Sequence, residues 1–201
     1  RRVLFRSKPI PMAGFPWHGL EEHLRTMLRA GYKVTVAEQE EELREGAKLL
    51  ERVVTRVYTP GSLYEEGLLE GDEQSLLAAV ALSSDSLGLA VLDASTGKAW
   101  ASTHDGPDRF AKLQDDLQRW QPQELVLSPK DAEHEQMGPL FLHLHGTMIS
   151  QHNITHAKRE ERLRTMLDVA DLGHLDLDHA PLAISATGLA ADYVATVHMR
   201  S

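Results

Sequence analysis

The stretch from Leu76 to Thr103 constrains the fold more than any other part of the sequence. Leu76–Leu82 and Leu87–Leu92 are apolar runs that read as strands, with Ser83–Ser86 as the turn between them. Thr96-Gly97 turns the chain again, into a third strand over Lys98–Thr103. Pro107 can then start a helix that carries Phe110, Leu113, Leu117 and Trp120 at helical spacing. After Pro122, Glu124–Ser128 reads as a short buried strand. Two helices close the chain, the last running from Pro181 with Leu182, Ala186, Leu189, Ala190, Tyr193 and Val197 on one face. Three antiparallel strands followed by alternating helix and strand predict a three-layer α/β domain.

The first sixty residues read differently. Leu20, Leu24, Met27 and Leu28 form the apolar stripe of a helix between Pro16 and a capping Gly31. Tyr32–Glu38 alternates as a strand, Glu40–Glu51 is acidic and helix-prone, and Val53–Tyr58 is a second strand stopped by Pro60-Gly61. This is a small α/β unit that reads as lacking its beginning. An acidic join near Tyr64–Ser75 separates it from the α/β domain, giving expected boundaries at 8–69, a linker at 70–75, and 76–201. The opening heptad, Arg1-Arg2-Val3-Leu4-Phe5-Arg6-Ser7, has no Met, no targeting pattern and no clear periodicity. It resembles the in-frame translation of a common sequencing-library adapter and is set aside as non-native. A cut C-terminus is expected too, because Ser201 directly follows a helical stretch.

At 201 residues, with 42% hydrophobic and 25% charged content, the chain can bury a sizeable core and is not disordered. It holds no cysteine, which excludes a disulfide framework, a cysteine nucleophile and a thiolate zinc site. No apolar run approaches the ~18 residues of a membrane helix, so no membrane partner is expected and the cytoplasm is the default location. The net charge of −9 is unevenly spread: residues 1–60 carry 11 Lys/Arg against 8 Asp/Glu, and residues 61–201 carry 10 against 22. A phosphate-binding surface therefore belongs in the first sixty residues. Without the three arginines of the heptad that balance is about zero.

Catalytic signatures are scarce. No P-loop, Gly-x-Gly-x-x-Gly or Gly-x-Ser-x-Gly is present. His143 and His145 on a strand, and His152 and His156 at helical spacing, could pair as metal ligands, but no further ligand sits at a diagnostic offset, and surface histidines are the favoured reading. Asp93 could serve an RNase-H-like nuclease, yet such a site needs several inward carboxylates, and the neighbouring strands offer Val, Leu, Ala and Ser. Asp93 is instead expected to shape the Asp93–Gly97 turn through side-chain hydrogen bonds. The most unusual segment is Pro9-Ile10-Pro11-Met12-Ala13-Gly14-Phe15-Pro16-Trp17-His18, an apolar loop of the kind that wedges base steps from the minor groove. Phe15 and Trp17 are expected to pack on the following helix, while Met12 is the better candidate for DNA.

That loop, followed by Ala30-Gly31-Tyr32-Lys33-Val34, Ala37-Glu38-Gln39 and Val57-Tyr58-Thr59-Pro60-Gly61-Ser62-Leu63, resembles the amino-terminal region of the MutS family of DNA mismatch-repair proteins. Gly88-Leu89-Ala90-Val91-Leu92-Asp93-Ala94-Ser95-Thr96-Gly97 and Pro122-Gln123-Glu124-Leu125-Val126-Leu127 are similar to that family's connector. The resemblance implies a truncated small α/β mismatch-recognition domain (domain I) followed by an RNase-H-like three-layer α/β connector (domain II) that lacks the nuclease site. It implies a partner in duplex DNA with mispairs or small loops, with Pro11, Met12 and Arg52 toward the DNA. It also implies coupling through the connector to an ATPase that uses ATP and Mg, a homodimer formed through domains outside this chain, and docking of a repair partner on the connector. For the 201 residues themselves it implies no enzyme activity and no cofactor. The family's Phe-x-Glu motif and Walker motifs do not occur in the chain. The rival readings are an RNase-H-like metal-dependent nuclease and a non-catalytic interaction module.

Overall fold

The computed structural model describes residues 2–5, 8–11, 14–39, 52–62, 75–172 and 179–198. Met12, the expected helix over 40–51 and most of the acidic join lie outside them. At the start, Arg2–Phe5 (β1), part of the opening heptad, pairs antiparallel with Lys8–Pro11 (β2). A 3-10 turn at Trp17–Gly19 leads into helix Leu20–Arg29 (α1). This helix ends where the sequence places its cap: Gly31 adopts φ 80°, and the Tyr32 N–H donates back to the Met27 carbonyl at 3.0 Å. Val34–Gln39 (β3) and Arg52–Tyr58 (β4) then pair antiparallel, from Val34 opposite Tyr58 to Gln39 opposite Arg52. Leu24, Leu28 and Tyr58 are buried together, with Leu20, Met27, Val34 and Val36 packed against them. The expected stripe is the one that packs.

Phe15 and Trp17 part company. The Phe15 ring lies 4.2 Å from that of His23 on α1, as expected. Trp17 is 72% exposed and does not pack there, because the 3-10 turn it opens contributes no buried residue.

The second region holds a five-stranded sheet made of Leu76–Leu82 (β5), Ser86–Asp93 (β6), Lys98–Asp105 (β7), Glu124–Leu127 (β8) and Met148–Gln151 (β9). Its order is β7-β6-β5-β8-β9, with β5, β6 and β7 antiparallel and β8 and β9 parallel to β5. That is the expected RNase-H-like arrangement. Side chains alternate faces along each strand. Leu76, Ala78, Val80, Leu89 and Val91 face helix Arg109–Trp120 (α2), meeting Leu113 and Leu117. Two short helices, Pro129–Ala132 (α3) and Met137–His143 (α4), extend this layer through Met137 and Leu140.

The other face receives the long helix Pro181–His198 (α6), which also packs against His156–Leu167 (α5). Leu77, Ala79 and Val126 meet Leu189, Ala190, Tyr193 and Val197. Ala81 and Ala90 meet Ala186. Small residues on this face let the helix approach closely: a Cβ at Gly88 would stand 2.1 Å from the Leu182 carbonyl oxygen.

Neither histidine pair forms as spaced in the sequence. His143 is the last residue of α4 rather than a strand residue, and its Nδ1–H donates to the Pro139 carbonyl at 2.8 Å, while His145 lies in the turn after it. His152 precedes α5 and His156 is its first residue, so no helix carries both. The strand over 143–145 fails because the apolar residues of 137–143 follow a helical period that buries Met137 and Leu140.

Candidate functional site

Two of the three residues singled out for DNA are described. Pro11 ends β2, opposite Arg2, and Arg52 opens β4, opposite Gln39. They belong to separate two-stranded sheets. Arg52 is exposed. Val53 and Val54 beside it are also exposed.

The two ends of β4 differ sharply. Its last residue, Tyr58, and the following Thr59, Pro60, Gly61 and Ser62 are buried. Thr59 Oγ1 and Ser62 Oγ stand 2.6 Å apart and close the turn on itself. The Ser75 hydroxyl donates to the Pro60 carbonyl at 3.1 Å, and the Ser75 carbonyl accepts from the Ala94 N–H at 2.9 Å. The Gly61 N–H donates to Glu124 Oε2 at 3.3 Å. Val57 packs against the cluster of Leu77, Val126, Leu189 and Tyr193 under α6. The end of the first unit is thus set into the second.

Glu124 was missed as an inward carboxylate. It opens β8, is 0% exposed, and gathers donors from three separate elements. Besides Gly61, the Ser150 hydroxyl of β9 donates to its Oε1 at 2.6 Å and the Tyr193 hydroxyl of α6 at 2.5 Å. A buried carboxylate needs such donors to offset lost hydration. Burial, and next the Glu124 charge, push the Tyr193 phenol above its ordinary value, so it stays a protonated donor at neutral pH. From Tyr193 the polar contacts continue outward. The His152 ring meets Tyr193 edge-on at 5.5 Å and its Nε2–H donates to Asp192 at 2.7 Å, while Arg162 Nε reaches the other Asp192 oxygen at 3.4 Å. On the exposed side, Lys33 Nζ stands 5.8 Å over the Tyr193 ring. The signal that could have found Glu124 is a lone carboxylate beginning an apolar strand, Glu124-Leu125-Val126-Leu127.

Asp93 is buried and serves its own turn. Oδ1 accepts the Ser95 N–H at 3.0 Å and the Ser95 hydroxyl at 2.6 Å, and Oδ2 accepts the Thr96 hydroxyl at 2.8 Å. Burial alone would raise this carboxyl; the hydroxyl and N–H bonds together outweigh it and hold it below its ordinary value. Asp93 pairs with Leu76, on the α2 face, whereas Glu124 pairs with Leu77 and points toward α6. Cross-strand partners share a face, so the two carboxylates lie on opposite sides of the sheet and cannot grip one ion. Among the described residues, no three His, Asp or Glu side chains converge as metal ligands.

Comparison with known sequences accounts for both regions. A family described as MutS domain I matches residues 3–67, and one described as MutS domain II matches residues 75–201. Curated relatives named DNA mismatch repair protein MutS include one from Symbiobacterium thermophilum, 34% identical over 96% of this chain and 22% of its own length. Another, from Anaeromyxobacter dehalogenans, is 35% identical over 92% of this chain and 20% of its own length. The one from Trichormus variabilis is 34% identical over 92% of this chain and 23% of its own length. The chain therefore spans about a fifth of these relatives.

Proposed function

The chain belongs to the MutS family, with domains I and II in its 201 residues, and from that premise we propose that it is the part of a mismatch-repair protein that lays a DNA-facing strand on a connector. In this reading Pro11, Met12 and Arg52 face duplex DNA, residues 8–69 carry the recognition domain and residues 76–201 the connector. In the whole protein the connector passes recognition to an ATPase, dimerisation occurs elsewhere, and a repair partner docks on the acidic connector surface.

One observation carries the reading. Strand β4 exposes Arg52 at its first residue and is buried into the second unit from Tyr58 onward. At ~3.3 Å per residue, a seven-residue strand is a stiff rod of roughly 20 Å between these ends. A phosphate contact at Arg52 would therefore bear on the connector directly. The wedge motif Phe-x-Glu does not occur in the chain, so the 201 residues should bind DNA weakly and without preference.

The test is a pair of titrations, one duplex with a G·T pair and one fully matched, each at low and moderate salt. Equal, weak binding that fades steeply with salt is expected, with Arg52→Ala weakening both duplexes alike and lowering the salt slope by about one. A clear preference for the G·T duplex, lost in Met12→Ala, would move the recognition function to the Pro-Met loop.

A further inference from the structure

We infer that Glu124 is a positioning residue, a latch that fixes the DNA-facing strand β4 on the connector by holding the Thr59–Ser62 turn. The contact stands on the geometry alone; its use in coupling rests on the proposed function.

The two oxygens of Glu124 are divided between tasks. Oε1 takes the Ser150 and Tyr193 hydroxyls, which tie β8 to β9 and α6 within the connector. Oε2 takes the Gly61 N–H, which comes from the first unit. No cation among the described bonds neutralises the carboxylate; three uncharged donors hold it, each from a different element. Such a carboxylate is sensitive to the loss of any one donor, because the remaining ones must carry its solvation.

Shape enforces the same register. A Cβ at Gly61 would stand 2.6 Å from the Glu124 Cβ and 3.2 Å from the Leu76 carbonyl oxygen, so the turn lies flush on β8 only as glycine. The Ser75 hydroxyl on the Pro60 carbonyl is a second pin, and Ser75 in turn accepts from Ala94 in the Asp93 turn. A displacement of the end of β4 must therefore move Glu124 or break its bond. Through Oε1 that displacement reaches Tyr193 on α6, and then His152, Asp192 and Arg162. This is a contiguous set of contacts; energetic coupling along it is what the experiment measures.

Glu124→Gln separates the latch from a merely structural role. Its amide oxygen can keep the Ser150 and Tyr193 bonds, while its NH2 faces the Gly61 N–H, donor to donor. In the 201-residue chain, hydrogen exchange at Gly61 and Ser62 should accelerate by roughly tenfold, with the β5 and β8 amides unchanged. Gly61→Ala should show the same local signature by pushing the turn away. Uniform acceleration across β5 and β8 would make Glu124 a core residue only, and unchanged Gly61 exchange would likewise overturn the latch. Titrating the same preparations with duplex DNA keeps the two ideas apart. Local loosening with no DNA binding by any protein, wild type included, sinks the DNA reading alone. An unmoved Gly61 with normal DNA binding sinks the latch alone.

Discussion

Asp93 and Glu124 show how one residue type takes two roles according to its sheet face. Asp93 holds a turn by local bonds to Ser95 and Thr96; Glu124 bridges elements distant in sequence. Because the folded Asp93 carboxyl titrates below its unfolded value, it stabilises the fold above about pH 4, and that contribution is lost as pH falls through the folded value. Asp93→Asn should therefore cost about 1 kcal/mol at pH 7. The gap to wild type should shrink as the pH approaches about 3. Urea midpoints at the two pH values decide it; a gap that is constant or widens in acid contradicts the carboxylate's role.

At the scale of elements, the position of α6 is set by small residues. Its face toward the sheet meets Ala79, Ala81 and Ala90, and Gly88 admits the Leu182 backbone. Gly88→Ala would place a Cβ against backbone, which cannot rotate away, so a loss of at least about 2 kcal/mol is expected in chemical denaturation. Gly138 in α4 is the contrast: it is exposed, and nothing lies within 4 Å of where its Cβ would be. Gly138→Ala should stabilise the chain by about 0.5–1 kcal/mol through helix propensity. If both variants behaved alike, close approach would not be what Gly88 provides.

In the whole molecule, the two units bury very different cores. The first rests on Leu24, Leu28 and Tyr58, whereas the second closes both faces of a five-stranded sheet. Native-state hydrogen exchange should find the amides of α1 opening at lower free energy than those of β5 and β8. Equal protection in both would mean that the junction at Thr59–Ser62 makes them one cooperative body. No Gly-rich loop with Lys and Ser/Thr occurs in the 201 residues, so the purified chain should hydrolyse no ATP above background. Turnover abolished by a substitution in the chain would refute that expectation.

The amino-acid pattern alone was enough to place α1, β3, β4, β5, β6, β7, α2, β8 and α6 in order, whereas β9 and the short helices α3 and α4 were not legible in it. Leu20, Leu24, Met27 and Leu28 could pack only as one helical stripe, and the apolar runs at 76–82 and 87–92 only as strands covered on both faces. The Asp93 turn was legible too, because each hydrogen bond of the Asp93 carboxylate spans two or three residues. Two local expectations failed: His143 closes a short helix whose apolar period buries Met137 and Leu140, and Trp17 stays exposed on a 3-10 turn that contributes no buried residue. The junction, by contrast, follows from long-range contacts. Gly61 and Glu124 are 63 positions apart, and Glu124 and Tyr193 are 69 apart. Local propensity carries no information about such pairs; they meet because β8 inserts beside β5, α6 crosses the same face, and the turn after β4 is buried over both.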